Sequence, residues 1–422
     1  MKKVREGYKI TEFGEIPSEW EVKKLKDLGN SVIGLTYSPD DLVDGCNGTL
    51  VLRSSNIRNN RIVFDDNKYV NKDIQEKLIV KENDILICSR NGSKELIGKC
   101  ALIDKKAEGS SFGAFMTVYR SKYNKYLFNV FTSYMFKRQI YNNLGATINQ
   151  ITTDNLNNFK IIVPTIKEQE KIASILSTVD EQIDNVDALI EKNKELKKGL
   201  MQTLLTKGIG HTKFKKTEIG EIPDEWELES MNKIVTSTQL GTNTLGKENE
   251  KIPMLKMGNL TIGGFDFNKL EYISEEELEM NKEYILSNGD FLFNTRNTLE
   301  LVGKSAVWNS QIDKAIFNSN IMRIKYCSKI NDFYMGYYFS SDIGWKQLKS
   351  ISTGTTSVAA IYTKDLMKII VIIPSIGEQE KIVSILLEVD KKIEEYENKK
   401  QKLEELKKGL MQQLLTGKIR VI

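Results

Sequence analysis

The chain has 422 residues, 40% hydrophobic and 28% charged, with 28 Gly and 6 Pro, enough for two or three folded domains and too ordinary for a disordered or low-complexity chain. Its formal net charge is only +4, with one histidine and four cysteines. These numbers set aside whole-surface attraction to nucleic acid, a disulfide framework, a Cys/His zinc site and hydrolase chemistry that needs a histidine base.

Residues 1–165 open with Thr11-Glu12-Phe13-Gly14-Glu15-Ile16-Pro17-Ser18-Glu19-Trp20-Glu21 and continue as short apolar runs between turn signals. The runs Asp84-Ile85-Leu86-Ile87-Cys88 and Phe159-Lys160-Ile161-Ile162-Val163 read as strands, and 129–141 reads as helix. The segment carries 25 Lys+Arg against 19 Asp+Glu. Residues 166–206 are helical, with Ile172, Leu176, Val179, Ile183, Val186, Ile190, Leu196, Leu200 and Leu204 forming a coiled-coil seam interrupted at Asn193. A short linker, 207–213, holds His211 in a Gly-rich stretch that is expected to be too flexible for catalysis.

Residues 214–376 then resemble 1–165. Thr217-Glu218-Ile219-Gly220-Glu221-Ile222-Pro223-Asp224-Glu225-Trp226-Glu227 repeats the opening after 206 residues. Pro374-Ser375-Ile376-Gly377-Glu378-Gln379-Glu380-Lys381-Ile382 and Leu406-Lys407-Lys408-Gly409-Leu410-Met411-Gln412 repeat 164–172 and 196–202 after 210. The strand candidates recur at Asp290-Phe291-Leu292-Phe293 and Lys368-Ile369-Ile370-Val371-Ile372, but the balance here is 18 Lys+Arg against 21 Asp+Glu. Residues 377–416 form the second helix, with a seam at Ile382, Leu386, Val389, Ile393, Tyr396, Leu403, Leu406, Leu410 and Leu414, interrupted at Lys400. The chain is one unit, duplicated. The fold expected is α+β: two homologous domains with twisted sheets, joined by a two-helix antiparallel coiled coil as a pseudo-twofold dumbbell. Antiparallel pairing with this repeat makes facing residue numbers sum to about 586, along a rod of roughly 50 Å at about 1.5 Å per residue.

Chemistry is sparse. Gly241-Thr242-Asn243-Thr244-Leu245-Gly246-Lys247-Glu248 approaches a phosphate-binding loop but ends in Glu where a hydroxyl should hold magnesium. Neither a dinucleotide fingerprint after a strand nor the Asn/Asp-Pro-Pro-aromatic stretch of amino-methyltransferases occurs. The four cysteines, Cys46, Cys88, Cys100 and Cys327, lack metal spacing and read as free thiols. No catalytic and no metal residues are assigned. What remains are polar loops of the residue types that pair with base edges and phosphates. In the first copy the candidates are Arg53, Ser55, Asn56, Arg58, Arg90, Asn91, Lys94, Lys99, Thr147 and Asn149. In the second they are Lys256, Asn259, Thr295, Arg296, Asn297, Lys304, Thr355 and Thr356. Arg90 and Arg296, Asn56 and Asn259, and Lys99 and Lys304 fall at equivalent places while their neighbours differ, as two related readers of different sequences would require.

The repeated G-E-I-P-x-E-W opening, the E-Q-E-K-I helix entry and the L-K-K-G-L-M-Q-x-L-L helix end together resemble the specificity subunits of type I restriction–modification systems, over essentially the full length. The resemblance implies two target recognition domains, 1–165 and 214–376, and spacer helices at 166–206 and 377–416. It also implies an asymmetric bipartite site in double-stranded DNA, one half read by each domain. The expected partners are two modification (methyltransferase) subunits and restriction (translocase/nuclease) subunits. Those partners would carry S-adenosylmethionine, ATP and magnesium, leaving this chain without a cofactor or an activity of its own. A coiled-coil scaffold with protein-binding heads, and a self-sufficient DNA methyltransferase or nuclease, remain the alternatives. The longest apolar run, Ile369-Ile370-Val371-Ile372-Ile373, is too short to span a bilayer, and no apolar stretch follows the charges of 1–6. A cytoplasmic location is expected.

Overall fold

The computed structural model describes residues 4–45, 47–144 and 149–421. The chain forms two compact units, one made of 1–186 with 399–422 and the other of 187–398. Each unit therefore holds one head and a half of each long helix.

In the first unit, a four-stranded antiparallel sheet runs in the order Cys100–Leu102, Ile85–Cys88, Met116–Arg120, Asn30–Ile33. Ile85-Leu86-Ile87-Cys88 is a continuous apolar run because both of its faces are covered. Ile85 and Ile87 enter one core with Trp20, Tyr119 and Phe131, whereas Leu86 and Cys88 enter another with Leu52, Phe112 and Val118. The first core is closed by the helices Asn124–Thr132 and Tyr134–Asn143, so the helical stretch expected at 129–141 is two helices broken at Ser133. Ser133 accepts from the Phe136 N–H and thereby caps the second one. The other core is closed by a small mixed sheet of Thr49–Leu52, Tyr69–Val70, Leu42–Val43 and Ser111–Phe112. A separate ribbon pairs Glu21–Lys24 with Lys160–Val163.

The second unit repeats this plan. Its main sheet runs Val235–Leu240, Ile321–Tyr326, Phe291–Asn294, Ser305–Val307, and its ribbon pairs Glu227–Ser230 with Ile370–Ile373. Phe291 and Phe293 face one core and Leu292 the other. Even the buried phenols match: Tyr126 donates to the Ile162 carbonyl at 3.0 Å, and Tyr334 to that of Ile372 at 3.1 Å.

The repeated motifs meet at each head's junction with its helix. Trp20 is fully buried and donates its indole N–H to Glu168 at 2.8 Å; Trp226 donates to Glu378 at 2.9 Å. Gln169 and Gln379 donate to the carbonyls of Pro164 and Pro374, locking each helix start onto the strand before it. The end of the other helix completes each junction. In the first unit Arg420 pairs with Glu168 and Glu19. In the second, His211 Nε2 lies 2.9 Å from Glu378, and the Ile209 N–H donates to the same carboxylate. The 207–213 linker is thus pinned at His211, contrary to the flexible stretch expected. Gly208 and Gly417 follow the helices at φ +65° and +69°, and a Cβ on either would meet Trp226 or Pro17 at about 2.5 Å.

Long helices span Ile166–Lys207 and Ile376–Leu414. In the first unit Ile172 and Leu176 share a core with Leu410 and Leu414; in the second Leu200 and Leu204 share one with Ile382 and Leu386. Numbers rise along one partner as they fall along the other, so the packing is antiparallel in both units. The ion pairs Asp180–Lys407 at 2.6 Å and Lys197–Asp390 at 2.5 Å each add to 587, one residue from the expected register. Part of the seam needs correction. Leu196 and Leu406 are half exposed. The three-four alternation instead runs through Asn193, Lys197, Leu200 and through Leu403, Lys407, Leu410, all half-buried. Each seam lysine is held there by an aspartate of the opposite helix.

Candidate nucleic-acid interface

In the first unit the candidate loops converge beyond the C-terminal end of Ile85–Cys88. The N–H groups of Ser89 and Arg90 both donate to the Phe115 carbonyl at 3.0 Å, and Arg90 forms a bridge with Gln150. Its exposed guanidinium lies 5.2 Å from the centre of the Phe115 ring, a cation–π contact that fixes its direction. Asn91 donates to Ser54 Oγ at 3.3 Å, Lys99 donates to the Ser54 carbonyl at 3.3 Å, and Asn149 donates to the Gly92 carbonyl at 3.0 Å. Lys94 stands exposed at the start of the turn Lys94–Leu96. Among the described residues, no carboxylate pairs with Arg90, Lys94 or Lys99, so their charges are available to an anion.

Other candidates are engaged within their own loop. Arg53 is turned onto Asp66 at 2.7 Å, and Ser55 also hydrogen-bonds that carboxylate. The Arg53 guanidinium holds the Asp66 carboxyl below its ordinary range. Arg58 pairs with Asp65 at 2.7 Å while remaining exposed. Asn56 is a correction to its expected role. It is buried, accepts from the Arg53 N–H and donates to the carbonyls of Val63 and Asp66, so it shapes the loop and presents nothing to a ligand. Asn259 is corrected in the same way: buried, it accepts from the Lys256 N–H and donates to Asp266 and Lys269. Thr147 lies outside the described residues.

The second unit repeats the frame with different side chains. The Asn294 N–H donates to the Lys304 carbonyl at 2.8 Å as the Cys88 N–H does to that of Lys99, which makes the two lysines structural equivalents. Arg296 is exposed and pairs with Ala360 where Arg90 pairs with Gln150. Thr295 bonds the Asn320 carbonyl through both its N–H and its hydroxyl, so Asn320 stands where Phe115 stands in the first unit. Asn297 donates to Asn294 Oδ1 at 3.0 Å. Thr355 and Thr356 are exposed on the neighbouring loop, and the Thr356 carbonyl accepts from the Leu299 N–H. Lys256 is neutralised by Glu271. Among the described residues, the first site therefore offers three cations without a carboxylate partner and the second two, Arg296 and Lys304, in the same direction as the segment charges.

Neither Phe115, whose ring lies beside Arg90, nor Asn320, its counterpart in the second unit, was among the candidates read from the sequence. Phe115 is an exposed aromatic directly before a buried strand, and no signal in the sequence marks it as exposed. Among the described residues no His, Cys, Asp and Glu cluster could hold a metal, and no helix is long and apolar enough to cross a membrane. Cys88 and Cys100 are buried free thiols; burial pushes the Cys100 thiol up to about 12. The loop at 241–248 hydrogen-bonds within its own head, Thr242 Oγ1 with Asn281 and Thr244.

The model of the type I restriction modification DNA specificity domain matches this chain twice, at 17–197 and 223–405. The chain belongs to the type I restriction–modification DNA specificity family. A relative in Methanocaldococcus jannaschii, described as the putative type I restriction enzyme MjaX specificity subunit, is 32% identical over 99% of this chain and 97% of its own length. The EcoKI specificity subunit of Escherichia coli K12 is 26% identical over 88% of this chain and 82% of its own. The crystal structure of a type I S subunit from M. genitalium covers 94% of this chain and 96% of its own at 15% identity, with a TM-score of 0.57, a likeness of fold. As a member of this family the chain has two target recognition domains and a role in DNA sequence specificity.

Proposed function

We propose that each head reads one half of an asymmetric, bipartite site in double-stranded DNA, with Arg90 and Arg296 as the central base-contacting residues. The observation that carries this reading is the shared frame with unlike contents. Both arginines leave their strand at the same hydrogen-bonded place, yet one is flanked by Phe115 and Gln150 and the other by Asn320 and Ala360. An exposed guanidinium suits bidentate pairing with guanine O6 and N7 in the major groove, worth about 1–3 kcal/mol of discrimination, and the Phe115 ring also holds that of Arg90 in direction. Asn91, Asn149, Asn297, Thr355 and Thr356 are further base or backbone contacts in this reading. Lys94, Lys99 and Lys304 supply phosphate contacts, which orient without specifying.

The head boundaries are taken as 1–165 and 214–376, with spacer helices 166–206 and 377–416. The chain acts in the cytoplasm without catalysis of its own. It directs two modification subunits, which carry S-adenosylmethionine, and restriction subunits, which use ATP and magnesium. The experiment is selection from a randomised duplex pool on the chain assembled with its modification partners. Two short specified blocks separated by a fixed unspecified gap are the expected product. Enrichment of no sequence would favour a scaffold with protein-binding heads.

A further inference from the structure

A cleft of about 1030 Å³ lies within the first unit, between the start of the first long helix and the turn that leads into the helix Asn124–Thr132. Gln169, Ala173 and Ser174 line one wall, Tyr123, Asn124 and Phe128 the other. Gln169 and Asn124 are buried, and each leaves its side-chain carbonyl oxygen without a hydrogen-bond partner. Their amide nitrogens are engaged: Gln169 donates to Pro164, and Asn124 donates to Asn83 and Tyr119. Two buried acceptors on one cleft ask for donors, because an unmade bond in the interior is costly.

The second unit shows what fills the equivalent space. Gln379 donates to Pro374 as Gln169 does to Pro164. Its Oε1 also accepts from the Asn331 N–H at 2.9 Å, and its Nε2 donates to the Lys329 carbonyl at 2.9 Å. Ile330, between these two, is buried in the core. One glutamine thus grips a short run of backbone from both sides while the intervening aliphatic side chain packs inward. The first unit lacks the chain to do this. Tyr119 and Ile324 are equivalent through their strand registers, and Tyr126 and Tyr334 through their hydroxyl bonds. The connection at 119–126 is therefore three residues shorter than that at 324–334. Asn331 also caps the helix Asp332–Ser340, whereas Asn124–Thr132 begins without a side-chain cap.

We propose that this cleft binds an extended peptide segment of a protein partner, one with an aliphatic residue flanked by a free backbone C=O and a free N–H. Gln169 Oε1 accepts that N–H, Gln169 Nε2 donates to that C=O, and the aliphatic side chain enters the place that Ile330 holds in the second unit. The site exists once per chain, because the second unit fills its own copy. It is separate from the DNA-reading loops and stands or falls without them.

The test uses the full-length chain titrated with acetyl-Ser-Lys-Ile-Asn-Asp-amide, the sequence of 328–332. Calorimetry and the Ile166 methyl resonance, which lies on the cleft, are the two readouts. Saturable binding at one peptide per chain is expected, with a dissociation constant on the order of 1 mM or below, and at least about tenfold weaker binding for the peptide with Ile replaced by Asp. Gln169→Leu should abolish it. Ser174→Trp, which fills the cleft from an exposed position and leaves the glutamine alone, should abolish it too, and decides the matter if Gln169→Leu does not fold. Absence of saturation by about 10 mM, two sites per chain, or binding indifferent to Ser174→Trp overturns the proposal.

Discussion

Replacing Lys407 by Leu tests whether the helix seam runs through the lysines or through the leucines beside them. Lys407 and Asp180 have side chains only 16% and 20% exposed, 2.6 Å apart. Removing the ammonium strands a carboxylate that is four-fifths buried. Breaking a fully buried pair costs about 3–5 kcal/mol and an exposed pair about 0–1. At this exposure about 2 kcal/mol is the working value. For a unit of this size that lowers the melting temperature by roughly 4–8 °C. Adding Asp180→Leu removes the stranded charge and supplies two apolar seam contacts, so the double variant should return to the stability of the parent or exceed it. Denaturant unfolding of the four members of the cycle gives the coupling, expected at about 2 kcal/mol or more, since the cost of Asp180→Leu adds to that of Lys407→Leu. By contrast Leu406→Ser, at a half-exposed position, should cost under about 1 kcal/mol. A neutral Lys407→Leu together with a severely destabilised Leu406→Ser would refute the register.

Arg90→Ala should relax recognition in one half-site and Arg296→Ala in the other, each by about 1–3 kcal/mol of discrimination, measured by competition between matched and mismatched duplexes. Lys94→Ala should weaken binding to all sequences alike and reduce the salt slope by about one. Burial opposes ionisation of Glu168, but bonds from Arg420, Trp20 and Thr165 outweigh it and hold the carboxyl below its ordinary value of 4.5. A depressed carboxyl contributes stability that is present above that value and lost as pH falls through the folded one. Thermal scans of Glu168→Gln should therefore differ most from the parent at neutral pH and converge with it in acid. Asn259→Ala should destabilise the second head by about 1–3 kcal/mol by leaving the N–H of Lys256 and the carbonyls of Asp266 and Lys269 without their partner, read by urea unfolding.

The duplication, the strand pairs and the apolar part of the helix seam were legible in the sequence, because each is a matter of spacing. Ile172 to Ile190 alternates by three and four, and the series is buried except at half-buried Ile183. Past Ile190 the alternation lands on Asn193 and Lys197, which a search for apolar residues steps over; the aspartate that compensates Lys197 is about 190 residues away in the chain. The function of the E-W and E-Q-E motifs was hidden for the same reason, since an indole-to-carboxylate bond joins positions 148 apart. At the candidate site, the equivalence of Arg90 with Arg296 and of Lys99 with Lys304 could be read from the repeat. What could not be read was which polar side chains face outward. Asn56 and Arg53 look alike as loop residues, yet the interior bonds of Asn56 bury it, and Phe115 is exposed against the habit of its residue type.

The central claim, that two frames of one design read two different half-sites, is tested most directly by mapping methylated adenines genome-wide in cells carrying this chain with its modification partners. A single asymmetric motif of two specified blocks is predicted for the parent. Arg90→Ala should make one block degenerate and Arg296→Ala the other, with the gap unchanged. A motif that degenerates in both blocks with either substitution, or in neither, would contradict the account.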